Sequence, residues 1–227
     1  MNSKRPLCKV FRPSPLGAHG FAKILAAWQS HAMGIIELLG LAGSVSLISG
    51  WRLYLTVFVT GLAMRLQWIS LPENLQILDA LANPWVLGIS ALGALAEFFA
   101  DKILWLDSIW DTIHTAIRPL GGALLALAVV DASDPVWQVV VFLLGGSAAL
   151  MSHGAKAGAR ALINTSPEPV SNAVVSTGED IASGGLLLLA FANPVAALII
   201  ASALSLLCLV LVYKGYGLWR KIVSSGS

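Results

Sequence analysis

Two stretches of the chain concentrate side chains able to bind ions or move protons. The first, Ala94–Ala126, is ALAEFFADKILWLDSIWDTIHTAIRPLGGALLA. Within it Asp107, Asp111, His114 and Arg118 follow one another at spacings of 4, 3 and 4, which puts all of them on one helix face. Glu97 and Asp101, four apart, share a face of the preceding helix. The second stretch, Ser152–Gly185, is SHGAKAGARALINTSPEPVSNAVVSTGEDIASGG. Here His153, Lys156, Arg160 and Asn164 are spaced 3, 4 and 4, again one face, and Glu179 and Asp180 open the following helix. Opposite signs on neighbouring helices predict mutual pairing: Glu97 and Asp101 with Lys156 or Arg160, and Arg118 with Glu179 or Asp180. An ionised side chain placed in lipid costs at least about 2.5–3.5 kcal/mol on insertion scales, so a cluster this dense faces protein or water. Lys102, Asp107 and Asp131 are read as boundary charges. Glu97, Arg118, His153 and Arg160 sit within or against apolar runs and are the better functional residues.

Two more features border these stretches. Arg52 follows Ser49–Gly50–Trp51 early in an apolar segment. Either it snorkels to an interface, or the Gly/Ser-rich piece before it is a broken half-helix and Arg52 points into the same cavity. The string Asn164–Thr165–Ser166–Pro167–Glu168–Pro169 cannot continue a helix through its prolines. Asn164 and Ser166 suit helix ends, Glu168 sits between two rigid turns, and Asn172 and Ser176 lie on the way to Glu179.

The elements that must position these residues are set by composition. Of 227 residues, 57% are hydrophobic and 11% charged, and mean hydropathy is +0.80. A soluble globule of this length needs a charged skin, for which there are too few charges, so the chain is an integral membrane protein. Disorder, a coiled coil and a nucleic-acid-binding module are excluded by the same figures. Cys8 and Cys208 lie in unlike settings and suggest neither a disulfide framework nor a metal knuckle. Residues 1–32 form a basic tail with Lys4, Arg5, Lys9, Arg12 and Lys23, and Met33 is an alternative start directly before the hydrophobic part. These are five of the fourteen basic residues; the other nine face twelve acidic ones, so the remainder has a net charge of −3.

A crossing helix needs about 20 mostly apolar residues. Six stretches qualify or nearly do: Leu47–Leu66, Trp85–Leu104, Ile113–Val130, Val136–Leu162, Glu179–Ala192 and Pro194–Tyr213. The fifth is short and either borrows residues from the loop before it or does not fully cross. The expected fold is therefore an all-α polytopic bundle of about six spans, with a broken or re-entrant first helix as the alternative for the N-terminal end. The two charged helix–break–helix hairpins form a loose two-fold repeat. The membrane domain covers 33–214 and a short basic tail 215–227. Lysine and arginine placement puts both termini in the cytoplasm. Trp68, Trp85, Trp105, Trp110, Trp137 and Trp219 fall near helix ends, as boundary tryptophans do.

The strings EFFADKI, DSIWDTIHTAIRPLGGALL, HGAKAGARALINTSPEPVSN and GED resemble the signatures of a bacterial membrane family, domain of unknown function 4126, over roughly Gly40 to Leu211. The resemblance implies a small multi-pass inner-membrane protein whose signature residues are the charged ones above. It brings no activity with it. Three functions follow from the residues. The first is a transporter or channel for a small charged solute, lined by Arg52, Glu97, Asp101, Asp111, His114, Arg118, His153, Lys156, Arg160, Asn164, Glu168, Asn172, Glu179 and Asp180. The second is a membrane-embedded enzyme, metal-dependent through Asp111 and His114 at i, i+3 with nearby carboxylates and His153. No HExxH, GxSxG or CxxC supports it, and neither a catalytic residue nor a cofactor is assigned. The third is a structural or partner-binding subunit. The expected partners are the lipid bilayer and a small charged solute, with no nucleic acid.

Overall fold

Proline preceded by Asn or Asp opens three of the helices. Asn83 Oδ1 accepts from the Trp85 N–H (2.9 Å), Asp134 Oδ1 from Val136 N–H (2.7 Å) and Asn193 Oδ1 from Ala196 N–H (3.0 Å). The side chain caps a free backbone donor, while Pro84, Pro135 and Pro194 supply a helical φ at a place where no N–H is needed. The computed structural model describes residues 34–66, 80–130, 134–163 and 169–225. It holds α1 (Ile35–Trp51), α2 (Leu53–Arg65), α3 (Pro84–Ala100), α4 (Leu104–Val129), α5 (Pro135–Ile163), α6 (Pro169–Ala192) and α7 (Pro194–Ser225). There is no strand among the described residues, and residues 33–227 form one unit.

Helix α1 is apolar or small on every side (IIELLGLAGSVSLISGW), and a helix with no polar face belongs in the middle. Its residues from Gly40 to Trp51 are buried with the exception of Gly43. Small residues bring its neighbours close, as in membrane helix packing generally. Gly40 meets Pro194 and Gly43 meets Leu198 on α7, while Gly50 meets Ala149 and Ser152 on α5. Ser46 Oγ donates to the Gly122 carbonyl of α4 (3.0 Å).

The chain reverses at Arg52. Leu39, Ala42 and Ser46 border Ala126 and Val130 of α4, and further along α1 Gly50 reaches Arg118. Beyond the break Leu53 lies beside Gly121, and Met64 packs on Ala128. Thus α1 and α2 run in opposite senses along the same helix, as a re-entrant hairpin. Between α1 and α2 a single residue, Arg52, departs from helical geometry, at φ −140° and ψ 81°. Helix α3 then runs antiparallel to α2, with Gly93 against Tyr54 and Leu87 against Gly61. A second break, Asp101–Ile103, separates α3 from α4.

Among the described residues, four segments are long and apolar enough to cross a bilayer: Trp105–Val129, Pro135–Ala161, Ala173–Ala192 and Pro194–Lys214. The fifth expected span borrows from the loop before it, because Pro169 begins helix α6 and does not merely break the chain. The first expected span, Leu47–Leu66, is divided at Arg52, as the broken-helix alternative has it. The fold-back changes the parity of the path. Gly40 lies at the start of α7, whereas Val212 of α7 lies beside Gly158, near the charged end of α5. Residues 34 and 225 therefore lie at opposite ends of the bundle, where an even number of crossings would have returned them to one end.

Candidate functional site

A helix ends with carbonyls that have no partner and with partial negative charge. At the buried tip of α1 those carbonyls are met by side chains of other helices. Arg118 Nη1 donates to Gly50 O (3.3 Å) and Lys156 Nζ to Trp51 O (3.3 Å), while one turn back Ser152 Oγ adds a bond to Leu47 O (2.7 Å). The residue at the turn, Arg52, is 2% exposed and spans two other elements. Its Nη1 lies 2.6 Å from Asp101 Oδ2 at the second helix break, and its Nη2 lies 2.6 Å from Asp180 Oδ1 on α6. Nη1 and Nη2 also donate to the carbonyls of Glu97 (3.5 Å) and Ser176 (3.4 Å).

Asp101, fully buried, is the node of the network. The same Oδ2 lies 2.7 Å from Lys156 Nζ and 3.4 Å from Arg160 Nη2, so cations from the hairpin tip and from α5 converge on one oxygen. Arg160 continues to Glu179 (3.0 Å), and Lys102 reaches Asp180 (3.1 Å) while lying over the Phe98 ring. Deeper in the bundle Arg118, fully buried, binds Glu97 Oε1 (2.8 Å) and Asp111 Oδ1 (3.1 Å). Arg118 Nη1 also lies 2.7 Å from His153 Nδ1. Arginine can only donate, so His153 Nδ1 carries a lone pair and the ring proton sits on Nε2, which donates to Thr115 Oγ1 (3.0 Å). His114 donates from Nδ1 to the Trp110 carbonyl (2.7 Å), and its Nε2 accepts from the Tyr54 hydroxyl (3.2 Å). The Trp110 and Tyr54 rings enclose it, at centroid distances of 4.3 and 5.6 Å.

The network stands behind an apolar exterior. On α4 the face carrying Asp107, Asp111, His114 and Arg118 is buried, whereas Trp105, Ile109, Ile113, Ile117 and Leu120 face outward. From Trp105 to Arg118 is about 20 Å at ~1.5 Å per residue, more than half of a ~30 Å hydrocarbon layer. A cleft of about 370 Å³ between α4 and α5, lined among others by Asp107, Asp111, Thr112, Thr115 and Arg160, reaches the network from outside.

The structure brings together Arg52, Glu97, Asp101, Asp111, Arg118, His153, Lys156, Arg160, Glu179 and Asp180, with His114 beside them. Asp101 pairs with Lys156 and Arg160 as expected, and the other pairings differ. Glu97 binds Arg118 in place of Lys156 or Arg160, and Arg118 binds Glu97 and Asp111 in place of Glu179 or Asp180. The reason is that the Arg52 tip lies between the charged hairpins and takes Asp180, leaving Glu179 to Arg160. Asp107, expected at the boundary, is 1% exposed and lines the cleft. Lys102 is part-buried in an ion pair with Asp180. Asn164 and Glu168, the side chain of Asn172, and Asp131 lie outside the described residues. The sequence reading missed Thr115 and Ser152. Thr115 lies four residues from Asp111 on the charged face, a usable signal, whereas Ser152 is one of many small residues in α5. Among the described residues no group of three or more His, Cys, Asp and Glu is disposed to hold a metal ion, since the carboxylates turn to arginine and lysine.

Comparisons with curated proteins and with solved structures give no match. A family model does match, over residues 39–214, which takes in both charged hairpins and the Arg52 turn, and the chain accordingly belongs to the family described as domain of unknown function (DUF4126).

Proposed function

We propose that this protein moves a small charged solute across the bacterial inner membrane, using the buried network as its path. The observation that carries the reading is Arg52: a guanidinium at a helix break, deep in an apolar bundle, bonded at once to Asp101 at a second break and to Asp180. Broken helices that meet at membrane depth are how transporters expose backbone and charge to a solute. A charged solute entering from the α4–α5 cleft exchanges with one ion-pair partner at a time, so that no buried ion is left uncompensated. In this reading α3 to α7 cross the bilayer and the α1–α2 hairpin dips in and out. The end with Lys102, Lys214, Arg220 and Lys221 faces the cytoplasm.

A bracing role in a larger assembly is the second reading, favoured by the tight pairing of Asp101 with three cations. Flux decides between them. In proteoliposomes, charge-neutral substitution of Arg52, Glu97 or Arg118 abolishes uptake of at least one labelled ion or small zwitterion while leaving insertion and monodispersity intact. Flux no greater than in protein-free vesicles across such a panel defeats the transport reading.

A further inference from the structure

Glu97 is fully buried, and among the described residues Arg118 is the one cation within salt-bridge reach of it. Arg118 is shared, since it also binds Asp111 at 3.1 Å. Asp101, by contrast, holds Arg52, Lys156 and Arg160, and Asp180 holds Arg52 and Lys102. The bond between Glu97 and Arg118 is also a single one. It runs from Nη2 to Oε1 (2.8 Å), while Glu97 Oε2 and Arg118 Nε, both buried, have no hydrogen-bond partner. A carboxylate and a guanidinium side by side commonly form two parallel bonds, and an ionised Oε2 would accept the second from Nε. An Oε2–H facing that N–H sets donor against donor, and the pair then meets through Oε1 alone.

A carboxyl out of reach of water and short of donors is costly in its charged form, and it neutralises by holding a proton. The other titratable groups around Glu97 are engaged elsewhere. From α2, Tyr54 lies against Gly93, one turn from Glu97, and its hydroxyl donates to His114 of α4. From α5, His153 keeps its lone pair on Arg118 and its N–H on Thr115, and Lys156 lies 2.7 Å from Asp101. Arg52, at the α1–α2 turn, reaches the Glu97 carbonyl (3.5 Å) but pairs its charge with Asp101 and Asp180. We infer that Glu97 is the proton-binding group of the network, neutral with its hydrogen on Oε2 while Arg118 is held by Asp111, and that solute movement is coupled to protons through it. When the proton leaves, Glu97 competes with Asp111 for one guanidinium. Asp111 lines the α4–α5 cleft and Glu97 lies behind it with Arg118 between, so the proton passes to and from water entering at Asp111. A change at either carboxyl is then felt at the other. Buried acids of this kind serve as proton carriers in membrane pumps and transporters. The coupling rests on the transport reading; the proton on Glu97 stands on the bonds around it.

The full-length protein in detergent is followed by infrared spectroscopy across a pH series. At neutral pH, where exposed carboxyls are ionised, wild type shows the C=O stretch of a carboxylic acid, shifted in D2O, and Glu97→Gln lacks it. Glutamine copies the neutral acid, so the melting temperature of Glu97→Gln stays within about 4 °C of wild type. Removing one member of a buried ionised pair would instead lower it by about 10 °C or more. The folded state holds a proton that the unfolded chain has lost at neutral pH, so wild type loses stability relative to Glu97→Gln as pH rises. No acid band in wild type at neutral pH, or one that persists in Glu97→Gln, overturns the site, as does loss of folded protein in Glu97→Gln. In proteoliposomes, flux of a labelled ion or small zwitterion through wild type follows an imposed pH gradient. The acid band without flux keeps the proton site and defeats the transport reading; flux indifferent to the gradient keeps transport and defeats the coupling.

Discussion

Replacing Asp101 by asparagine keeps the shape of the node and removes its charge. Three cations then lose their shared oxygen, at 2.6 Å (Arg52), 2.7 Å (Lys156) and 3.4 Å (Arg160). They are not stranded equally. Arg52 retains Asp180 at 2.6 Å and Arg160 retains Glu179 at 3.0 Å, but the one carboxylate near Lys156 is then Asp111, at 3.9 Å, beside the Trp51 carbonyl. Breaking a buried pair by removing one partner costs about 3–5 kcal/mol, most of it the penalty of the charge left behind. That charge is Lys156. Asp101→Asn is therefore expected to destabilise by about 3–5 kcal/mol, and adding Lys156→Met to recover about 2–3 kcal/mol of it, within the range of coupling between contacting residues. Adding Arg160→Met recovers nothing, because Glu179 then loses its own partner. The assay is equilibrium unfolding in mixed micelles for wild type, single and double variants. Additivity of Asp101→Asn and Lys156→Met to within about 0.5 kcal/mol, or equal rescue by Arg160→Met, would refute the reasoning.

Three further predictions concern the hairpin and its packing. Arg52→Lys supplies one ammonium where Nη1 and Nη2 serve separate carboxylates; it loses either Asp101 or Asp180 and about 1–3 kcal/mol, measured by the same unfolding assay. In a cysteine-free background, Gly34→Cys and Leu66→Cys react with a membrane-impermeant maleimide from one side and Lys214→Cys from the other; labelling of positions 34 and 66 from opposite sides would show a continuous first helix. Gly50→Ala collides with Ser152 and the Ala149 carbonyl and abolishes folded, monodisperse protein, whereas Gly178→Ala meets open space and is neutral or stabilising by up to about 1 kcal/mol, checked by size-exclusion profile and melting temperature.

Much of the helical layout is legible in local chemistry. Asn83–Pro84, Asp134–Pro135 and Asn193–Pro194 mark helix starts because cap and proline act within a few residues, and the expected spans begin within about one residue of them. The buried face of α4 follows from the spacing of Asp107, Asp111, His114 and Arg118, since period alone fixes which side chains stand together. Which of them meet across helices does not follow, because pairing depends on helix rotation and on what lies between. Here that was Arg52, whose insertion redirects Glu179 and Asp180. The break at Arg52 has no proline, and Gly50 is the only nearby local signal. The end of α1 is met by distant donors, Arg118 and Lys156, that satisfy its last carbonyls. Pro169 misleads in the opposite direction: a residue that stops a helix from its interior starts one from its first turn.

The reversal at Arg52 has a consequence for biogenesis. The hairpin is made early, yet the carboxylates that neutralise its tip emerge from the ribosome later, Asp101 with the next helix and Asp180 only near the end of synthesis. Until then a bare guanidinium held among acyl chains would cost at least about 2.5–3.5 kcal/mol. The turn between the two earliest helices of the bundle thus has its charge neutralised only when a helix made near the end of synthesis arrives.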